Sequence, residues 1–86
     1  MPFLLPVAVT QENASHLEIE GLRNVVALGL VDCSQLHDFD STVLTVLLAW
    51  QKKLQAVGQQ MSVLNAPEKL KVLAGVYGVA ELLGLS

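Results

Sequence analysis

The chain has 86 residues, 52% of them hydrophobic and only 15% charged, with five basic residues against eight acidic for a formal net charge of −3 at pH 7. That is the length of one short domain, which on folding buries only about 60–65% of the surface that its unfolded chain exposes. The composition excludes a disordered or polyelectrolyte tail. It also disfavours nucleic acid, because few cations are free to face phosphates, and it supplies no polybasic patch for anionic lipid.

The N-terminal run Phe3 to Val9 leans toward β structure, but Pro6 restricts it to an edge or a short strand. Thr10 to Ser15 is polar and reads as a turn. His16-Leu17-Glu18-Ile19-Glu20 alternates polar and apolar residues, the period of a strand covered on one face, and Gly21 ends it. These two strands are expected to form a hairpin. Leu22 to Gly29 holds two helical turns at most, and Leu30-Val31-Asp32-Cys33 reads as a short buried strand. A loop over Ser34 to Asp40 then leads to the strongest element, a helix from about Ser41 to Val57.

Val43, Leu44, Leu47, Leu48, Trp50 or Gln51, Leu54 and Val57 give that helix its apolar spacing, with Trp50 either a core residue or a partner anchor. Asp40 or Ser41 caps its start, Lys52 and Lys53 suit its negative end, and Gly58 stops it. Gln59 to Leu64 is a strand candidate. Asn65-Ala66-Pro67-Glu68 opens a second helix with Leu70, Leu73, Ala74 and Tyr77 as its apolar stripe. Val79 to Leu83 is expected to make a last helical turn, and Gly84-Leu85-Ser86 to fray. After the opening strands the order alternates β and α, which argues for a sheet with helices largely on one face and the other face partly bare.

Cys33 is the single cysteine, so no internal disulfide and no cysteine-based metal site is expected, and a reducing compartment suits it. The apolar N-terminus has no basic start, so no signal peptide is expected. No run approaches the 18 apolar residues of a spanning helix. A soluble, cytoplasmic protein is the expectation. With so few charges on its surface, it should have a partner, or self-associate without one.

The chemistry of catalysis is sparse. The six glycines build no phosphate loop, so no nucleotide cofactor is expected. His37, Asp38 and Asp40 are the nearest approach to a metal set, but helix capping and solvation account for them better. Ser34 or Ser41 with His37 is the nearest approach to a nucleophile and base, and nothing nearby positions an oxyanion hole. No catalytic residue and no metal ligand is assigned. The constellation above background is the junction Asp32-Cys33-Ser34 followed by Asp40-Ser41-Thr42-Val43-Leu44, where an acid and two hydroxyls meet the positive end of a helix. A hydroxyl there can cap the helix, bond to a partner or carry a phosphate.

This junction resembles that of the STAS domains (sulfate transporter and anti-sigma factor antagonist). In those, a strand ending in Asp-Leu-Ser leads to Asp-Ser-Ser-Gly or Asp-Thr-Gly-Gly at a helix start. Leu47-Leu48-Ala49-Trp50 and Leu73 to Leu83 are similar to the subgroup, MlaB-like, that serves the Mla-type phospholipid ABC transporter. The resemblance covers about residues 16–86. It implies one STAS-like domain over 1–86 with a shortened first helix, of class α/β, with a mixed sheet of about four strands and helices mainly on one face.

By residue, the resemblance makes Asp40 the acid that shapes the loop. Ser41 matches a functionally important Thr of the lipid-transport subunit, and Thr42 the serine phosphorylated in anti-sigma factor antagonists. Val43 stands where the family usually has Gly, which puts a β-branched side chain at the surface or in the interface. The implied function is a non-enzymatic accessory subunit that binds the cytoplasmic ATPase of the transporter, in a complex with permease and lipid-carrier protein, and supports outer-membrane lipid asymmetry. It would sit peripheral to the inner membrane through that partner. Ser41 and Thr42 would supply hydrogen bonds, and Val43, Val46 and Trp50 an apolar rim. The alternative is a partner switch that binds a serine kinase until Ser41 or Thr42 is phosphorylated.

Overall fold

The computed structural model describes residues 3–24 and 29–85. Pro6 sets its first division. A proline has no amide hydrogen and cannot continue a ladder, so the N-terminal run splits into β1 (Phe3–Leu4) and β2 (Ala8–Val9). β1 pairs in parallel with β3 (Leu30–Asp32), and β3 pairs in parallel with β5 (Ser62–Leu64). β2 pairs in parallel with β4 (Asp38–Phe39) in a separate two-stranded sheet. In place of one mixed sheet of about four strands, the described residues therefore hold two small parallel sheets, of three strands and two. The reason lies in the connections. Parallel neighbours need helical crossovers, which leaves no place for the expected N-terminal hairpin.

The segment expected to be the second strand is one of those crossovers. Helix α1 spans Ala14–Leu22 and takes in His16 to Glu20. Its buried residues are Ala14, Leu17 and Gly21, spaced three and four apart, which is a helical face. Ile19, which completed the apparent alternation, is 52% exposed. Asn13 occupies the N-cap position. Its side chain accepts from Thr10 N at 2.9 Å and donates to Ala8 O at 2.8 Å, tying the helix start to the end of β2. The first helix thus begins well ahead of Gly21 and runs through it to Leu22. Half of the short helix expected over Leu22 to Gly29, residues 25–28, lies outside the described residues.

Helix α2 spans Thr42–Ala56, close to the expected bounds, and Gly58 follows it at φ 76°, a left-handed conformation that ends a helix without strain only for glycine. Helix α3 spans Glu68–Val76 with Pro67 at its N-cap position, one residue ahead of the first-turn place expected for it. Beyond it Val79 to Leu83 closes a single helical turn, as expected, with Leu83 N–H donating to Val79 O at 3.0 Å. Leu85 does not fray: it is 6% exposed and joins Leu83, at 0%, in the core.

Both crossovers in the larger sheet step the same way, β1 to β3 to β5. Right-handed connections of that kind place α1 and α2 on one face, where the two helices pack together. The register puts Phe3, Val31 and Val63 in one row beneath them. The neighbouring row, Leu4, Asp32 and Leu64, faces the other way, and there Leu4 is 47% and Leu64 38% exposed, so that face is partly bare as expected. Among the described residues no helix is long and apolar enough to cross a membrane.

Candidate docking site

The carboxyl ends of β3, β4 and β5 gather the polar residues of the junction. Asp32 Oδ1 accepts from Ser34 N at 2.9 Å and from Asn65 Nδ2 at 3.1 Å, which ties the end of β3 to the residue after β5. Those bonds, that of Asn65 first, hold its carboxyl below the usual carboxylate range. Asn65 has φ 56°, a conformation that asparagine tolerates better than most residues. Next along the chain, burial and the Asp32 carboxylate push the Cys33 thiol up to about 12. Cys33 is 1% exposed, a small buried hydrophobe rather than a nucleophile.

Asp40 follows β4 and caps α2: its Oδ1 accepts from Thr42 N at 2.8 Å. The Thr42 side chain and then the Thr42 backbone N–H hold the Asp40 carboxyl below its usual range. Ser41 occupies the N-cap position, but its side chain makes no capping hydrogen bond. The two hydroxyls therefore differ. Thr42 is half-buried and engaged by Asp40, while Ser41 is exposed.

The rest of the expected site moves inward. Val43, Val46 and Trp50 are 0%, 1% and 0% exposed, so none supplies an apolar rim, and Val43 is neither at the surface nor in an interface. Val43, Val46 and Trp50 lie three and four residues apart on the face of α2 that the core covers, which is why they are lost to a partner. Trp50 is used within the chain. Its Nε1 donates to Glu18 O at 3.1 Å, its ring meets Phe3 edge-on at 5.1 Å between centroids, and its indole lies against Gly21 so closely that a Cβ there would overlap it.

A different groove stands beside Ser41. Ser41, Leu44, Thr45 and Leu48 line it from α2, with Tyr77 and Val79 opposite, around a volume of about 200 Å³. Ser41, Thr45 and Leu48 recur at four and three residues, so they share one helical face. That spacing was a usable signal for Thr45. Tyr77 and Val79 come from beyond α3, and no local pattern joins them to Ser41. Tyr77 is 58% exposed and Val76, at the end of α3, 77%, so the groove opens onto further apolar surface. Lys69, another residue the sequence reading passed over, sits on α3 with its Nζ 3.4 Å from Phe39 O and 5.0 Å from the centre of the Phe39 ring, bracing the turn that presents Asp40 and Ser41. Among the described residues no group of three or more His, Cys, Asp or Glu side chains is placed to hold a metal ion.

A small α/β domain of parallel strands, with an acid and two hydroxyls at a helix start and an apolar groove alongside, has the form of a binding module. The family model described as "Mlab, STAS domain" matches residues 8–84, nearly the whole chain. The chain belongs to the STAS domain family, on its MlaB-like side. No curated protein matches it significantly. Membership carries a general accessory or regulatory role, and STAS domains are in general binding domains without catalysis.

Proposed function

We propose that the protein is the STAS subunit of an Mla-type phospholipid ABC transporter. It binds the cytoplasmic ATPase, and it is held at the inner membrane through that partner in a complex with permease and lipid-carrier protein. The observation that carries this reading is the exposed Ser41 hydroxyl at the rim of the groove of Leu44, Leu48, Tyr77 and Val79. A directional donor and acceptor beside an apolar concavity suits a protein segment with one anchoring side chain. The groove, at about 200 Å³, is smaller than the pockets that usually enclose a small-molecule substrate. The MlaB-like family match favours a transporter partner over others.

A second reading, the phosphorylation-controlled switch, is favoured by the same exposure of Ser41 at the positive end of α2. It fits Thr42 poorly. A phosphoryl group of roughly −2 charge there would lie against the Asp40 carboxylate that Thr42 now bonds. Affinity purification in mild detergent from the native cells, with mass spectrometry of partners and of the Ser41–Thr42 peptide, separates the two. An ABC ATPase and permease with the peptide unmodified is the expected result. A serine kinase, with phosphate on Ser41, would replace the transporter reading by the switch.

A further inference from the structure

The opposite end of α2 carries a second concavity that shares no residue with the Ser41 groove. Leu22, at the end of α1, and Ala49, Lys52, Lys53 and Ala56 of α2 line a shallow hollow of about 360 Å³. Ala49, Lys52 or Lys53, and Ala56 recur at three or four and then seven residues, so the hollow runs along two turns of one helical face. The two alanines make it a hollow, because neither fills the space beside Leu22. Its floor is apolar, and the charges at its edge belong to Lys52 and Lys53.

Those lysines stand out in a chain with five basic residues and a net charge of −3. Among the described residues, neither has a carboxylate within 4.0 Å; the one such approach is that of His16 Nε2 to Glu20, at 4.0 Å. The negative end of the α2 dipole accounts for cations at this position. It does not account for an apolar floor between them. We propose that this hollow docks an acidic amphipathic helical segment of a partner protein, which lays apolar side chains over Ala49 and Ala56 and sets carboxylates against Lys52 and Lys53. A bilayer is a poorer match. A surface that inserts into lipid presents protruding aromatic or leucine side chains, whereas this one is concave and the chain's only tryptophan is buried in the core.

Zero-length carbodiimide coupling tests this, because it joins an ammonium to a carboxylate only where the two meet. The full-length protein is treated in its detergent-solubilised native complex, and the coupled peptides are sequenced by mass spectrometry. The expected product is an amide between Lys52 or Lys53 and an Asp or Glu of a partner segment that carries apolar residues at intervals of three and four. Its yield should fall in high salt, where surface charges are screened. It should also fall about fivefold or more in Ala49→Trp, which fills the hollow but keeps both lysines. Absence of any partner protein on Lys52 and Lys53, or a yield unchanged in Ala49→Trp, overturns the proposal. So does binding of the isolated chain to phosphatidylglycerol vesicles that is lost in Lys52→Glu/Lys53→Glu, which would assign the hollow to lipid. Coupling at these lysines is read independently of whether the Ser41 groove holds an ATPase.

Discussion

The two flanks of α2 are closed in opposite ways. Toward Gly21 of α1 the Trp50 indole fills the gap, because Gly21 offers no side chain and Glu18 offers a carbonyl, and a hollow opens only past it, beside Leu22. Toward Tyr77 and Val79 the packing stops short and leaves the groove beside Ser41. One helix thus spends its largest side chain on holding the domain together and keeps a hydroxyl and smaller apolar groups for the surface. In a domain of 86 residues, with a thin stability margin, an aromatic of that size is worth more inside than at an interface. Between the two flanks, Gln51 is buried yet satisfied: its Nε2 donates to Leu82 O at 2.7 Å and its Oε1 accepts from Met61 N at 3.0 Å. A buried amide with both ends paired fixes the C-terminal segment, and with it the far wall of the groove.

If that contrast is right, substitutions on the closed flank unfold the domain and those on the open flank do not. Trp50→Ala should be the most damaging, at about 3–5 kcal/mol in urea or thermal unfolding. A loss below about 1 kcal/mol would place the indole outside the core. Leu47→Ala, also fully buried, should cost about 2–5 kcal/mol, whereas Leu48→Ala, half-buried at the groove, should cost less. Equal losses at the two would blur the distinction between flanks. Gly21→Ala adds one methyl group where the Trp50 ring lies and should cost about 1–3 kcal/mol, with a red shift in tryptophan emission as the ring is pushed toward water.

On the open flank, Ser41→Asp should leave stability within about 0.5 kcal/mol, since a carboxylate is welcome at a helix N-terminus. Docking should weaken clearly by calorimetry. Unchanged affinity would reject the Ser41 groove as the interface. The smallest effect expected is one of pH. Asp32 and Asp40 both titrate below the usual 3.8 in the folded chain. The stability they add is therefore fully present above that value and is lost as pH falls through their lower folded values. Asp40→Asn should flatten part of the acid limb of a stability–pH curve, and an unaltered limb would mean that the Thr42 cap contributes nothing.

Much of this was legible in the sequence where local chemistry decides structure. Gly58, Pro67 and the spacing from Val43 to Leu54 marked both later helices, and Asp40 was recognisable as a cap. The family itself was legible by resemblance at the junction of Asp40 with Ser41 and Thr42, and the family match over residues 8–84 bears out the family. What failed depended on partners far along the chain. The alternation from His16 to Glu20 was accidental, since Ile19 faces solvent and the residue that matters is Gly21, whose role exists only because Trp50 covers it. For the same reason Val43 and Val46 looked available and Trp50 fitted core and interface alike: spacing shows that a helix has an apolar face, not which neighbour covers it. The groove required Tyr77 and Val79, which no periodicity links to Ser41.

The parallel arrangement of the strands also sets the order in which the chain can fold. β1 has no partner until β3 exists, β3 gains its second neighbour only with β5, and Leu83 and Leu85 seal the core from the far end. No hairpin rewards an early segment, so each pairing pays for closing a long loop before it returns any contact. The apolar N-terminal half stays uncovered until Leu83 and Leu85 have joined the core. Until then the folding chain depends on being shielded from aggregation.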